Sequence, residues 1–473
     1  MKKIPRSLRG RRSFLRNSAL ATGATFWTED TLNSALQNTK TASKPSDLRI
    51  TDVRMAAVGG GLIRLDTNQG LYGIGENRDG ASKTMVLMLK RLVVGENPCN
   101  IDLIFRKIKQ FGFHARQGGG VSGIEIALWD LAGKAYNVPI YQMLGGKFRD
   151  QIRCYADTPA APDPNVLGQR LKKRMAEGFT FLKIDVRIDQ VIKTPGTATY
   201  PAGANITGNV PHMFTGLEIT DKGIALMAEY VARVREIIGM EIPLATDHFG
   251  HIGVNSCIRL GKAFEKFNLA WMEDFIPWQN TELLKKITDA IDVPTLTGED
   301  IYLKESFIEL ARNHAIDMLQ PDLVTAGGIL ETHKIGDAIQ EYGVPMVMHM
   351  ATSPVACFAN VHCAAATENF LVLENHAVDR PEWGDIVANI KPIIDQGYVN
   401  VPNGPGLGIT LNEDAIKKNF PSGRGYFEPT PQWDLEQMNP GRGGPAAPGR
   451  GPGGPGRGPA PGRGRQPNDR LWS

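Results

Sequence analysis

Three acidic residues recur at equal intervals. Asp247 closes Leu244-Ala245-Thr246-Asp247, Glu273 lies in Trp271-Met272-Glu273-Asp274, Glu299 lies in Thr297-Gly298-Glu299-Asp300, and each is 26 residues from the next. Each ends a short apolar run that follows a stretch with helical periodicity. A strand–helix repeat of fixed length delivers one carboxylate per unit to the same end of a sheet. In a closed parallel barrel those ends meet at one mouth. Three carboxylates a few ångströms apart could not all stay ionised without a cation between them. Hard oxygen donors of this kind favour Mg²⁺, one ion per site, which keeps its other positions for water or substrate.

Further polar residues close neighbouring apolar runs. Lys183 and Asp185 alternate in Phe181-Leu182-Lys183-Ile184-Asp185, so both side chains face the same way. Asp322 ends Gln320-Pro321-Asp322, His349 ends Val347-Met348-His349, and Glu374 follows Leu373. An Asp behind a His fixes the imidazole tautomer and raises its basicity. A lone His at a strand end is more often structural than catalytic. Polar residues at the ends of successive strands reverse those odds.

The elements that must position them alternate. Apolar runs at 152–156, 181–186, 242–246, 270–272, 295–297, 316–319, 344–348 and 370–373 are separated by helical patterns such as 281–291, 305–314 and 328–342. Eight strands in this grammar predict an α/β fold, a modified (β/α)8 TIM-type barrel over 151–390. A doubly wound open sheet is disfavoured, because no dinucleotide fingerprint opens the first unit. The connection from Arg187 to Glu218 is rich in Pro, Gly and Thr and reads as a lid, a binding loop or a disordered segment. His212 within it could touch substrate, and His248 and His251 beside Asp247 are candidate acids.

Ahead of the barrel, 46–150 reads as an α+β domain. Alternating runs at 50–54, 62–65 and 71–76 suit an antiparallel meander, and helical spacing follows. Gly118-Gly119-Gly120 opens an amphipathic helix, with Ser122 as its expected N-cap and Glu125 three residues later. No Lys-Ser/Thr follows those glycines, so close packing is expected there rather than phosphate binding. Residues 391–428 carry Pro-Gly turns and a last short helix, and 429–473 is a Pro/Gly/Arg tail expected to be disordered.

Composition excludes several classes. The chain has 473 residues and a formal net charge of +3, and much of the positive balance lies at its ends, so no basic face points to nucleic acid. Five cysteines at no useful spacing form neither a disulfide framework nor a zinc site. No apolar run approaches the roughly 20 residues needed for stable membrane insertion. Residues 1–45 differ: Arg11-Arg12-Ser13-Phe14-Leu15 follows a basic lead and precedes a mildly apolar run. This is the pattern of a twin-arginine export signal with its spacer, which predicts a periplasmic or extracellular protein.

The constellation resembles the enolase superfamily, in its mandelate racemase/muconate lactonizing enzyme-like branch and closest in character to acid-sugar dehydratases. Residues 48–428 carry the resemblance. Its motifs are the helix Gly123-Ile124-Glu125-Ile126-Ala127-Leu128-Trp129-Asp130-Leu131-Ala132-Gly133-Lys134, then Pro139-Ile140-Tyr141-Gln142-Met143-Leu144-Gly145-Gly146, and the spacings from Asp247 to His349. It implies that 46–150 is a capping domain, with a loop near Glu76–Ala81 over the site, and that 391–428 packs back on it. It also implies Mg²⁺ held by Asp247, Glu273 and Glu299, and a homo-oligomer acting on a small-molecule carboxylate.

The implied chemistry is abstraction of a proton α to a carboxylate, with His349 as base, Asp322 orienting it, and Lys183 binding the substrate carboxylate. Glu374 would help hold substrate. Racemases of the branch commonly carry Lys-x-Lys where this chain has Lys183-Ile184-Asp185. Losing the second lysine favours β-elimination of water from a sugar acid, giving a 2-keto-3-deoxy acid, with His248, His251 or His349 as the leaving-group acid. A racemase or epimerase and a sugar-lactone cycloisomerase are the alternatives on the same fold. A non-catalytic carbohydrate-acid binding protein would not need both His349 and Lys183.

Overall fold

The computed structural model describes residues 43–78, 82–113, 118–186, 189–201, 217–247, 252–419 and 426–430. The export signal, the tail beyond residue 430, and His212, His248 and His251 lie outside these residues.

The first domain is a meander with helices packed on it. β1 (Ile50–Ala56), β2 (Leu62–Thr67) and β3 (Tyr72–Glu76) pair antiparallel, with Val53 opposite Leu65 and Ile63 opposite Gly75. The helix Val121–Tyr136 lies against β3. Glycine makes that approach possible: a Cβ on Gly73 would sit 2.1 Å from the Ala127 carbonyl, and one on Gly75 2.0 Å from that of Gly123.

The start of this helix differs from the sequence expectation. Gly118, Gly119 and Gly120 all have positive φ, and Gly120 rather than Ser122 is the N-cap. The Ser122 hydroxyl reaches the Thr325 carbonyl instead, 3.5 Å away. Glu125 likewise turns outward from its own helix. It accepts Trp129 Nε1–H at 2.7 Å and the backbone N–H groups of Ile329 and Leu330 at 2.7 and 3.0 Å, which caps the barrel helix Ile329–Gln340. Glu76, at the end of β3, does the same for the helix Pro354–Ala366 by accepting from the Ser353 and Ala356 amides and the Ser353 hydroxyl. Orphan N–H groups at helix starts need such acceptors. Two buried carboxylates thus fasten the first domain to the barrel.

Eight parallel strands close the barrel: β4 (Gln151–Thr158), β5 (Leu182–Asp185), β8 (Leu244–Asp247), β9 (Met272–Glu273), β10 (Thr295–Thr297), β11 (Met318–Leu319), β12 (Met346–Met348) and β13 (Phe370–Asn375), which returns to β4. A short antiparallel pair, β6 (Ala198–Thr199) and β7 (Glu218–Ile219), lies in the β5–β8 connection. This is the modified barrel with a capping domain that the sequence predicts.

The modification is at the end. After β13 no long helix follows among the described residues; the chain makes a turn at Pro381–Gly384, then β14 (Tyr398–Asn400) pairs antiparallel with β4. Beyond it, Leu407 N–H donates to Asp130 at 2.9 Å, and Tyr426 bridges to Ala56, so Leu407 and Tyr426 both lie against the first domain.

Inside the barrel, Tyr155, Phe181, Ala245, Trp271, Leu296, Val347 and Val372 form one apolar layer. Its rings pack tightly, with Phe181 and Trp271 centroids 4.9 Å apart and Tyr155 and Trp271 5.5 Å apart. Strand side chains alternate with period two, so the residue two positions after each layer member faces the same interior, one layer nearer the mouth. That rule places Asp157, Lys183, Asp247, Glu273, His349 and Glu374 in one polar ring.

Candidate active site

Lys183 is the hub of one side of the ring. Its Nζ lies 2.7 Å from Asp247 Oδ2, 2.9 Å from Glu374 Oε1 and 3.4 Å from Glu273 Oε2. Burial alone would push the ammonium pKa down. The charges of Asp247, Glu273 and Glu374 outweigh burial and hold it well above the usual lysine range. An ammonium so placed is suited to pair with an anion.

Carboxylates converge on the same side. Asp247, Glu273 and Asp274 each offer an oxygen within 4.8 Å of the others. Glu273 also accepts Trp271 Nε1–H at 3.0 Å. Burial first, then Asp247, pushes the Glu273 carboxyl well above its ordinary value. Burial, then Glu299 and Asp247, pushes Asp274 up to about 7. Asp274 has φ +53°, an uncommon conformation for a non-glycine residue, and its Oδ1 accepts the Thr297 hydroxyl at 2.7 Å.

The sequence placed Glu299, not Asp274, in this cluster. Glu299 stands at the same mouth, with Oε2 2.9 Å from His349 Nε2 and Oε1 3.3 Å from an Arg78 terminal nitrogen.

The other side of the ring is a relay. His349 Nδ1 and Asp322 Oδ2 are 2.6 Å apart, and His349 Nε2 also lies 3.3 Å from Glu374 Oε2. Asp322 is held from behind by Arg78, whose Nη1 is 3.0 Å from the same oxygen and donates to the Glu299 carbonyl at 2.9 Å. Burial would raise Asp322, but Arg78 and then His349 bring it below the usual carboxylate range. For His349, burial lowers the pKa while Glu299 and Glu374 raise it further, and the net is well above 6.5. The dyad thus sets an Asp held low by Arg78 behind an imidazole that it orients through Nδ1.

The remaining residues are less central. Asp185 is half-buried at the rim, across the ladder from Asp247. All five cysteines are free, and four are buried. Three polar residues of the mouth were not anticipated: Arg78, Asp157 and His376. Arg78 comes from the first domain's loop, where only the loop was foreseen. His376 Nε2 lies 2.9 Å from Asp157 Oδ2 at the closure of β13 on β4.

The donor set fits a small divalent cation. Two buried carboxylates and a half-buried one lie together beside one ammonium, and burial, then neighbouring carboxylates, pushes Glu273 and Asp274 toward protonation. A hard ion with oxygen preference relieves that repulsion.

The family described as enolase C-terminal domain-like matches residues 167–415, and the mandelate racemase / muconate lactonizing enzyme N-terminal domain matches 33–145. A D-xylonate dehydratase of Haloferax volcanii is 33% identical over 396 residues, covering 81% of this chain and 91% of that protein. An arabinonate dehydratase of Saccharolobus solfataricus is 26% identical over 363 residues, covering 75% and 88%. A crystal structure of a mandelate racemase/muconate lactonizing enzyme-like protein from Rubrobacter xylanophilus superposes with a TM-score of 0.70 at 30% identity, covering 80% of this chain and 99% of that one.

Proposed function

The chain belongs to the enolase superfamily, in its mandelate racemase/muconate lactonizing enzyme-like branch, and from that premise we propose that it is a hydro-lyase removing water from a sugar acid to give a 2-keto-3-deoxy acid. The observation that carries this reading is the His349–Asp322–Arg78 relay facing a Lys183-centred carboxylate cluster across one mouth. The dehydratase names of the relatives on sugar acids support the substrate class.

Asp247 and Glu273 would hold Mg²⁺, with Glu299, as the 26-residue spacing implies, or Asp274, as the cluster implies, as the third carboxylate; when bound the ion would stabilise the charge that develops on the substrate carboxylate as its α-proton leaves. The protein's own residues do the rest. Lys183, beside the ion's carboxylates, pairs with the substrate carboxylate, where a second negative charge is relieved by a cationic side chain in a buried site. His349 takes the α-proton at the imidazole nitrogen not turned toward Asp322. Asp322 keeps the ring oriented and stabilises the imidazolium that forms, and Arg78 keeps Asp322 ionised. Glu374, between Lys183 and His349, holds both in register. Asp185 stands where a second base would be needed for inversion at the α-carbon, and a carboxylate there favours elimination.

Export through a twin-arginine signal, with action outside the cytoplasm, belongs to the same proposal and rests on Arg11-Arg12-Ser13-Phe14-Leu15. Fusion of residues 1–45 to a reporter checks it, and a reporter left in the cytoplasm would remove it. A homo-oligomer is the assembly expected, read by light scattering.

The reaction is tested by proton NMR in D₂O with Mg²⁺ and a panel of aldonic and aldaric acids. Loss of the C2 proton with a 2-keto-3-deoxy product supports dehydration and identifies the substrate. Exchange of that proton without loss of water would transfer the protein to racemisation, and no change on any acid would remove the reading.

A further inference from the structure

The mouth holds a second His–carboxylate pair. Asp157 is the residue two beyond Tyr155 on β4, and His376 is two beyond Glu374, immediately after the end of β13. Asp157 therefore lies on the inward face in the ring that holds Lys183 and Glu374, and His376 stands one step nearer the mouth. The ladder sets them side by side, since Glu374 pairs with Tyr155 and Asn375 with Ala156. Asp157 also stands opposite Lys183 in the neighbouring ladder. The two side chains meet through His376 Nε2 and Asp157 Oδ2 at 2.9 Å.

Access separates this pair from the first. The His349 side chain is 3% exposed, whereas that of His376 is 48% exposed. With Nε2 turned to Asp157, Nδ1 is the nitrogen left to serve a ligand. Burial lowers the His376 pKa, but the hydrogen bond and charge of Asp157, then Glu374, carry it above 6.5, with Lys183 opposing. The resting ring is thus biased toward its cationic form, which carries a proton to give.

We infer that His376, oriented by Asp157, is the acid that protonates the departing hydroxyl. The step rests on the dehydratase reading above. His349 takes the C2 proton, and the C–H electron pair becomes the C2–C3 double bond. The C3–O bond breaks with its pair on oxygen, which receives the Nδ1 proton of His376 and leaves as water. The enol then ketonises to the 2-keto acid, and solvent restores the proton on His376 and removes the one on His349. His376 touches the leaving group and is catalytic; Asp157 is a positioning residue.

The test separates the two proton transfers. His376→Gln and His376→Asn are compared with wild type for C2 proton exchange in D₂O and for loss of water, on the sugar acid that wild type consumes. Both variants are expected to keep exchange within about threefold while water loss falls by roughly 10²–10³, the usual worth of a positioned acid. A 3-deoxy-3-fluoro analogue needs no acid, so fluoride release should persist in both variants. Asp157→Asn should split exchange from elimination in the same sense but less, with an unchanged thermal midpoint. Water loss at the wild-type rate in the His376 variants overturns the inference. So does a parallel fall of exchange, water loss and fluoride release in variants that still melt cooperatively. If wild type exchanges C2 protons but eliminates nothing, the dehydratase reading has failed and takes this inference with it.

Discussion

The two sides of the barrel mouth balance charge differently. On β5, β8 and β9, one ammonium, Lys183, stands among Asp247, Glu273 and the Asp274 that follows β9. Around β10, β11 and β12, two carboxylates, Glu299 and Asp322, meet the Arg78 guanidinium and the His349 imidazole. The first side carries more negative charge than its own residues can neutralise, and Glu273 and Asp274 are pushed up by burial and by that charge. The second is self-sufficient, and its Asp is pulled down. One side is built for a charge that arrives; the other is built to hold a proton acceptor still.

The largest effect should come from breaking the self-sufficient side at its centre. His349→Asn keeps a polar side chain of similar reach but cannot accept a proton. Turnover and C2 exchange should both fall by about 10³ or more, near the upper range for a general base, while binding of Mg²⁺ persists in a titration followed by calorimetry. Retention of exchange would show that the base lies elsewhere in the mouth.

Next in size is the back of the same relay. Arg78→Lys keeps the charge but loses the fork that reaches Asp322, Glu299 and the Glu299 carbonyl together. Misplacing Asp322 by a fraction of an ångström should lower kcat by roughly 10–100-fold with little change in KM, since small displacements of positioned groups carry costs of that order. A larger change in KM than in kcat would mean that Arg78 contacts substrate rather than the dyad.

The charge-deficient side is tested by the ion itself. Mg²⁺ at about 100 times its Kd should stabilise the fold by about 2.7 kcal/mol through linkage alone, seen as a rise in thermal midpoint that EDTA reverses. Glu273→Gln should abolish most of that rise. Glu299→Gln and Asp274→Asn decide between the spacing in the sequence and the cluster in the structure. Loss of the rise in Glu299→Gln alone assigns the third ligand to Glu299, and loss in Asp274→Asn alone assigns it to Asp274.

That contest shows where the sequence was legible and where it was not. The period-two alternation of short buried strands made Lys183, Asp247, Glu273, His349 and Glu374 readable, because each sits two residues beyond an apolar layer member. Asp157 obeys the same rule, but the first strand was expected to stop at Ala156 and runs to Thr158. His376 was lost in a similar way, three residues past an expected end at Leu373 and one past the observed end at Asn375. Asp274 could not be found by alternation, which aims it away from Glu273; its positive φ breaks the pattern. Arg78 reaches the barrel from a position 221 residues before Glu299 and 244 before Asp322, a contact no local pattern encodes. The helix signature around Glu125 was recognised, yet its role was misassigned, since a capping box and a cross-domain cap share one spacing.

Glu125 gives the smallest effect and a control for both sides of the mouth, being a buried carboxylate with no cation among its hydrogen-bond partners. Three N–H groups point at its two oxygens, and burial still pushes its carboxyl up to about 8 against them. A carboxyl whose pKa is raised on folding contributes stability that is fully present below its unfolded value, near 4.5, and is lost as pH rises through about 8. Glu125→Gln has one acceptor oxygen where three donors converge, so it should cost about 1–3 kcal/mol in urea unfolding at pH 5. That cost should shrink by pH 8, because only wild type loses stability over the interval. Turnover per folded molecule should not change at either pH. A cost that grows between pH 5 and pH 8 would mean that the ionised carboxylate, drawn to the start of the helix Ile329–Gln340, is what holds the two domains together, and that burial is the lesser force at this junction.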